Sequence, residues 1–242
     1  MDELSPFLAV ICLALVHVLG ARLTFLEAIP RSYWLSIAGG TAVAYVFVHI
    51  LPDLSHSQAA VEDSCIVELD FLARHVYFVA LFGLAMFYGL EHWVQSTKRR
   101  TTPSSERGDG IFWVHMGAFA IYNALIGYLL LHRDVPGYSS LLAFSIAMAF
   151  HFLTNDHSLR EHHEHVYHDR GRWILAAAVV TGWLVGLFVD AGDAVIGLLF
   201  AFIAGGIILN VLKEELPEDR ESRFLPFVLG ASGYAVLLFF AG

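Results

Sequence analysis

Residues 194–212 read AVIGLLFAFIAGGIILNVL, a stretch without a single charged side chain. A helix needs about 20 apolar residues to cross the hydrocarbon of a bilayer, so this stretch predicts a transmembrane helix. Backbone polar groups must be satisfied internally in lipid, which favours helices throughout. Seven similar runs complete the prediction of an all-α membrane protein with eight transmembrane helices, at 5–21, 33–52, 75–95, 111–131, 135–155, 173–189, 194–212 and 224–242.

The basic residues predict how the chain is oriented. Twelve of its 14 Lys and Arg residues fall in the gaps after spans one, three, five and seven: Arg22, Arg31, Lys98, Arg99, Arg100, Arg107, Arg160, Arg170, Arg172, Lys213, Arg220 and Arg223. Cytoplasmic connections carry an excess of Lys and Arg, so we expect these gaps inside and both termini outside. Only Arg74 and Arg133 lie elsewhere, and one helix more or fewer would break the alternation.

Composition predicts one transmembrane domain, residues 1–242, in contact with the lipid bilayer. Hydrophobic residues make up 57% of the chain and charged residues 15%, and most connections are short. The net charge of −9 argues against a nucleic-acid partner. Cys12 and Cys65 form neither a disulfide framework nor a CxxC site. Asp2 and Glu3 precede the first run, which indicates a retained span rather than a cleaved leader and favours a prokaryotic plasma membrane.

Two spans match each other in opposite directions. Gly40 lies twelve residues before Pro52, and Gly205 lies twelve residues before Pro217, and each proline is followed by an acid. The charge pattern sends span two outward and span seven inward, which predicts an inverted-topology repeat. Repeat one would cover about 5–95, the central helices about 111–155, and repeat two about 173–242. The alternative is that a proline followed by an acid is only a common helix stop.

These motifs resemble the ZIP (Zrt/Irt-like) metal transporter family. The similarity covers most of the chain, and its residues are Gly39, Gly40, Phe47, His49 and 51–53 in span two, 204–206, Glu214 and 216–218 in span seven, Glu91 and His92 in span three, and Phe227, Gly230 and Gly233 in span eight. The resemblance implies eight spans with outward termini in a three-plus-two-plus-three arrangement. It also implies a divalent metal ion such as Zn²⁺ as substrate, with no permanently bound cofactor. The sequence leaves open whether the protein is a homodimer.

The resemblance places the metal path in spans four and five. There the chain carries four candidate ligands, Asn123, His151, Asn155 and Asp156, while the family's His and acid of the fourth helix are replaced by Tyr122 and Ile126. His151 and Asn155 are four residues apart, so they share a helix face and could meet Asn123 or Tyr122. The alternative is that these polar groups only hydrogen-bond between helices.

Other histidines suggest further metal or polar sites. His49 precedes Asp53 by one turn, which predicts an entrance site or proton relay, whereas a hydrogen-bonded core position is favoured for His17 and His115. The predicted cytoplasmic gap after span five carries a histidine cluster: His157, His162, His163, His165 and His168. Imidazole suits Zn²⁺, and the alternative is a solvated loop without bound metal. Lys213 and Glu214 are expected to form an interfacial pair.

Three functions remain to be compared. The first is a ZIP-like carrier that moves divalent cations towards the cytoplasm. The second is a ZIP-fold protein that has lost transport and acts as a metal sensor, regulator or partner subunit. An intramembrane enzyme ranks last, because no HExxH or GxSxG motif is present in any span. The sequence therefore predicts a protein that is not an enzyme.

Overall fold

The computed structural model describes residues 4–20, 33–62, 76–98, 106–133, 137–215 and 223–241. Within these ranges the chain forms helices and short turns and contains no β-strand, which confirms the all-α prediction. The eight helices are α1 (Leu4–Gly20), α2 (Tyr33–Tyr45, Val46–Ile50 and Leu51–Glu62), α3 (Val76–Lys98), α4 (Glu106–Leu129), α5 (Tyr138–Val166), α6 (Tyr167–Gly171 and Arg172–Phe188), α7 (Asp193–Glu215) and α8 (Phe224–Ala241).

Several helices are long and apolar enough to cross a membrane, as an integral membrane protein requires. Four stretches of the described chain meet both conditions: Ser36–Ala59, Val76–Trp93, Tyr167–Phe188 and Asp193–Lys213. Three further apolar stretches are shorter: Leu4–Gly20, Met116–Leu129 and Phe224–Leu237. Helix α5 belongs to neither group, and it carries several polar side chains in its second half: His151, Asn155, Asp156 and His157.

The prediction that span two ends at Pro52 is wrong, because α2 continues to Glu62. A proline inside a helix lacks an N–H group and clashes with the carbonyl one turn earlier. Here the turn before the proline is a π-helix, Val46–Ile50, and Leu51 N–H donates to Val46 O. The wider turn changes the register of the hydrogen bonds where the proline enters. Pro217, its predicted counterpart in span seven, lies outside the described residues.

The boundary predicted after residue 155 is also wrong. Helix α5 runs on to Val166, and a second π-helical stretch, Tyr167–Gly171, connects it directly to α6. No glycine or proline interrupts the chain between Tyr138 and Gly171, so no local signal stops the helix at 155. The first part of the predicted cytoplasmic gap is therefore helical. Asp156 and His157 are buried as a result.

Helices α2 and α8 run side by side in the same direction. Arg223 N–H donates to Ser36 Oγ near their starts, and Tyr45 packs against Tyr234 further along. Between these contacts, a Cβ on Gly40 would overlap the carbonyl oxygen of Phe227. A Cβ on Gly230 would likewise overlap Ile37 O. Each glycine thus lies against the residue three positions before the other glycine, which lets the two backbones touch.

The same reciprocal contact joins two other parallel pairs, α3 with α7 and α4 with α6. In each pair, both glycines lack room for a Cβ because the carbonyl three residues before the partner glycine occupies that space. The glycines and carbonyls are Gly83 with Phe202 O, Gly205 with Ala80 O, Gly127 with Val179 O, and Gly182 with Ala124 O. If eight spans cross the membrane in alternating directions, α2 and α8 must be parallel, as must α3 and α7, and α4 and α6. All three glycine pairs join helices that are parallel.

Candidate functional site

A buried polar cluster lies where α1, α4 and α5 meet. His17 from α1 and Asn123 from α4 are 0% exposed, and Asp156 from α5 is 1% exposed. His17 Nδ1 lies 3.0 and 2.9 Å from the two carboxylate oxygens of Asp156. On the other side of the ring, His17 Nε2 lies 2.8 Å from Asn123 Oδ1. One imidazole therefore connects all three helices.

Hydrogen-bond chemistry defines the role of each atom in this cluster. Asn123 Nδ2 donates to Phe119 O one turn earlier on α4, at 2.7 Å, so its Oδ1 faces His17. Both nitrogens of His17 then face oxygen atoms. Each ring N–H thus has an oxygen acceptor in reach. Burial of polar groups is costly unless they are hydrogen-bonded, which explains why the three side chains adjoin.

A second polar contact lies on the neighbouring faces of α4 and α5. Tyr122 OH and His151 Nε2 are 3.0 Å apart, and both side chains are buried. Phe152 adjoins both histidines, with its ring centroid 4.4 Å from that of His17 and 6.2 Å from that of His151. One turn further on, Asn155 is 5% exposed and its Nδ2 has no hydrogen-bond partner.

The end of α1 is held against α5 at the same level. Arg160 Nη1 donates to Gly20 O at 3.2 Å, and it thereby satisfies a carbonyl at the helix end. A Cβ on Gly20 would lie 3.5 Å from Leu153 Cδ2 and 3.9 Å from Asp156 Oδ2. The main chain of α1 thus passes close to the carboxylate, which fixes the depth at which His17 enters the cluster.

The predicted ligands Asn123, His151, Asn155 and Asp156 are all buried, but they do not form a ready-made metal centre. Asn123 and Asp156 meet through His17, whereas His151 is bonded to Tyr122. In the part of the chain that the structure describes, no three His, Cys, Asp or Glu side chains lie close enough to hold one metal ion. The member of the cluster that the motif positions did not indicate is His17, although a histidine alone in an apolar span points to the interior.

The histidine cluster after span five is divided by the structure. His157 is buried, with Nδ1 3.5 Å from Arg160 Nη2, whereas His168 is exposed. The side chains of His162, His163 and His165 lie outside what the structure describes, as does that of His115. A shared metal site for these histidines stays a prediction.

A cleft opens at the end of the bundle where α4 ends and α5 begins. Its lining is mixed, with charged and polar side chains beside apolar ones: His49, Asp53, Leu129, Arg133, Ser140, Phe144 and Phe200. His49 stacks on buried Tyr45 at 5.4 Å. Arg133 donates to Leu130 O and Ser140 Oγ, and burial lowers the pKa of its guanidinium without removing the charge. The predicted entrance residues His49 and Asp53 both line this cleft.

At the other end of α7, Lys213 Nζ lies 2.9 Å from Glu91 Oε1 of α3. The expected partner, Glu214, has a side chain outside the described set. The contact therefore joins two helices of a glycine pair rather than neighbours in sequence.

Comparison of the whole chain with known protein families, curated proteins and solved structures finds no match.

Proposed function

We propose that the chain is a ZIP-like membrane carrier that moves divalent metal cations, zinc-like in their ligand preference, towards the cytoplasm. The observation that carries the proposal is the buried polar cluster of His17, Asn123 and Asp156 with His151 and Asn155 beside it. Ionisable groups inside a membrane bundle are costly and mark ion pathways, proton relays or ligand sites. A carboxylate with imidazole and amide donors matches the chemistry of a divalent cation.

The inverted repeat belongs to the same proposal and is supported by the glycine contacts. Gly40 and Gly205 correspond in the predicted repeat, and both lie in reciprocal glycine pairs. Gly40 pairs with Gly230 of α8, and Gly205 pairs with Gly83 of α3. In the predicted repeat, α2 corresponds to α7 and α3 corresponds to α8. The operation that relates the two halves therefore maps the α2–α8 pair onto the α7–α3 pair, as an inverted three-plus-two-plus-three arrangement requires. The eight spans would then place both termini outside.

An access route is suggested by the cleft at His49 and Asp53. Asp53 contributes a negative charge and His49 a nitrogen donor at the end of α2, while Ser140 and Phe144 line the facing wall on α5. Helix α5 continues from that wall to His151, Asn155 and Asp156. The guanidinium of Arg133 lies in the same lining, so a cation that enters the cleft would bind Asp53 and His49 against the repulsion of that charge and would then follow one helix to the buried cluster.

The proposal is tested by uptake of radiolabelled Zn²⁺, Fe²⁺, Mn²⁺ and Cd²⁺ into proteoliposomes. His151→Ala, and Asn123→Ala combined with Asn155→Ala, should abolish uptake, because loss of a donor leaves the desolvation of the ion uncompensated by at least several kcal/mol. His56→Ala is the matched control, since His56 is exposed on α2 and does not line the cleft. If none of the four ions enters above empty vesicles with the wild-type protein, the carrier proposal fails for them.

A second candidate function is a ZIP-fold protein that senses metal or serves as a regulator or partner subunit without transport. One observation favours it: among the described side chains, His17 and Asp156 are bonded to each other and no third His, Cys, Asp or Glu joins them. Under this alternative, metal would bind at the histidines after α5. Zn²⁺ binding that is lost in a His162→Ser, His163→Ser, His165→Ser variant, without any uptake by the wild type, would support the alternative.

A further inference from the structure

Arg133 joins the end of α4 to the start of α5 beside the cleft that it lines. Its Nη1 donates to Leu130 O, just past the last residue of α4. Towards α5, Nη2 lies 3.5 Å from Gly137 O and Nε lies 3.4 Å from Ser140 Oγ. Gly137 O also accepts the N–H of Leu141, so it belongs to the first turn of α5. One guanidinium therefore contacts both helices.

The shape of the guanidinium makes this contact possible. Its N–H donors lie in one plane at fixed angles, so they reach acceptors on both helices at once. A lysine ammonium carries the same charge at a single point and does not span the same three oxygen atoms. The two bonds to α5 are long for N–H···O hydrogen bonds. They are therefore weak enough to exchange for bonds to water.

The cleft beside Arg133 is too small for a hydrated metal ion. Its free volume is about 30 Å³, which holds about two or three water molecules. A hydrated divalent cation of octahedral preference carries about six. The lining also includes the positive charge of Arg133, which opposes the approach of a cation towards Asp53. Entry of a cation therefore requires the cleft to widen and the guanidinium to shift.

The position of Arg133 in the sequence is not explained by the orientation of the chain. Twelve of the 14 Lys and Arg residues fall in the predicted cytoplasmic gaps, and Arg133 is one of the two that do not. A basic residue in a predicted outer gap opposes the charge bias that orients the spans. The contacts with α4 and α5 give this arginine a different role.

We propose that Arg133 is the latch of the access cleft: its bonds to Gly137 and Ser140 hold the start of α5 against α4, and their release opens the cleft. This inference rests on the proposed carrier function and names the residue that controls entry of its substrate. Release exchanges two hydrogen bonds within the protein for bonds to water, so its cost is small. Arg133 acts on the position of α5 and does not bind the cation, which makes it a positioning residue.

Reaction of a buried cysteine with N-ethylmaleimide measures how often the cleft opens. Leu129 lines the cleft and is 3% exposed, so Leu129→Cys is the reporter. The full-length protein is reconstituted in nanodiscs with Cys12→Ser and Cys65→Ser, and the reagent is uncharged. Arg133→Gln and Arg133→Lys should both accelerate labelling roughly tenfold, because both lose the bonds to α5. Arg223→Gln, beside Tyr33 at the opposite end of α2, should leave the rate unchanged.

The comparison of glutamine with lysine separates geometry from charge. Acceleration by Arg133→Gln but not by Arg133→Lys would assign the effect to the charge and overturn the latch. Leu175→Cys, 0% exposed on α6 and outside the cleft, is the second reporter. Equal acceleration at Leu175→Cys would show that the bundle loosens as a whole, which also overturns the latch.

A milder variant keeps the test decisive if the Arg133 variants do not fold. Ser140→Ala removes one acceptor and leaves the arginine in place, so it should accelerate labelling of Leu129→Cys roughly threefold. Unchanged labelling in Ser140→Ala, or in folded Arg133 variants, overturns the latch.

Failure of this inference can be separated from failure of the carrier proposal, because labelling requires no metal. Metal uptake by the wild type, with labelling insensitive to Arg133, would preserve the carrier and reject the latch. Absence of uptake, with labelling accelerated in both Arg133 variants, would reject the carrier and retain the latch as the device that opens the cleft.

Discussion

The reciprocal glycine contacts can be tested within single helices, because α3 carries one glycine in a contact and one in open space. A Cβ on Gly83 would overlap Phe202 O of α7, whereas a Cβ on Gly89 would meet nothing within 4 Å. Gly83→Ala and Gly89→Ala therefore make the same chemical change on the same helix, six residues apart. We expect only Gly83→Ala to destabilise the protein.

The magnitude follows from the overlap. Carbon–oxygen contacts between helices are normally about 3.3–3.6 Å, and the added carbon would lie more than about 1 Å inside that range, against backbone that cannot rotate away. The two helices must separate along the whole contact, and overpacking of this kind costs about 1–3 kcal/mol. Both variants gain the same helix propensity, so the expected difference in the free energy of unfolding is also about 1–3 kcal/mol.

The assay is reversible unfolding by SDS titration in mixed micelles, followed by tryptophan fluorescence. Two more matched pairs extend it, each with a contact glycine and an open glycine on one helix: Gly127→Ala with Gly117→Ala on α4, and Gly230→Ala with Gly233→Ala on α8. Equal unfolding free energies within each of the three pairs would refute the argument that these helices are held at backbone contact.

Three other predictions concern two polar contacts between helices and the orientation of the chain. Asp156→Ala should cost about 1–3 kcal/mol of unfolding free energy because it leaves the buried Nδ1 of His17 without its partner, and adding His17→Ala should recover part of the loss; additive losses in this double-mutant cycle would contradict the pairing. Glu91→Gln should cost less than about 1 kcal/mol, because its contact with Lys213 is partly exposed, and a larger loss in the same titration would assign that contact a structural role. Ser104→Cys in a cysteine-free background should react with membrane-impermeant maleimide only after the membrane is opened, and labelling of intact cells from outside would reverse the predicted orientation.

The helices themselves could be predicted from the sequence because apolar runs of this length have few alternatives in lipid. Eight runs were expected, and eight helices are present in the described chain. The predicted ends of spans two and five were wrong for one reason: contacts with other helices outweigh local signals that would stop a helix. Pro52 is accommodated by the π-helical turn before it, and the polar sequence after Asn155 continues as helix because it packs against α1 and α4.

The candidate site could be predicted only in part. Asn123 and Asp156 were recognised from motif positions, and a hydrogen-bonded core position was expected for His17, which the structure bears out. Their meeting around one ring could not be predicted, because 106 residues separate His17 from Asn123 in the chain and spacing gives only the face of each helix. Of the six contact glycines, Gly40, Gly205 and Gly230 belong to the family resemblance, but their partners depend on which helices pack together.

The three glycine pairs are nested along the chain, with α4–α6 innermost, then α3–α7, and α2–α8 outermost. A ribosome adds about 5–20 residues per second, so the stretch of about 190 residues from Gly40 to Gly230 takes about 10–40 seconds to synthesise. The glycine face of α2 waits for that time in the membrane without its partner. Because the pairs are nested, assembly can proceed from the centre of the chain outwards. Each pair then forms after the pair nested within it in the chain, and no earlier pair has to open.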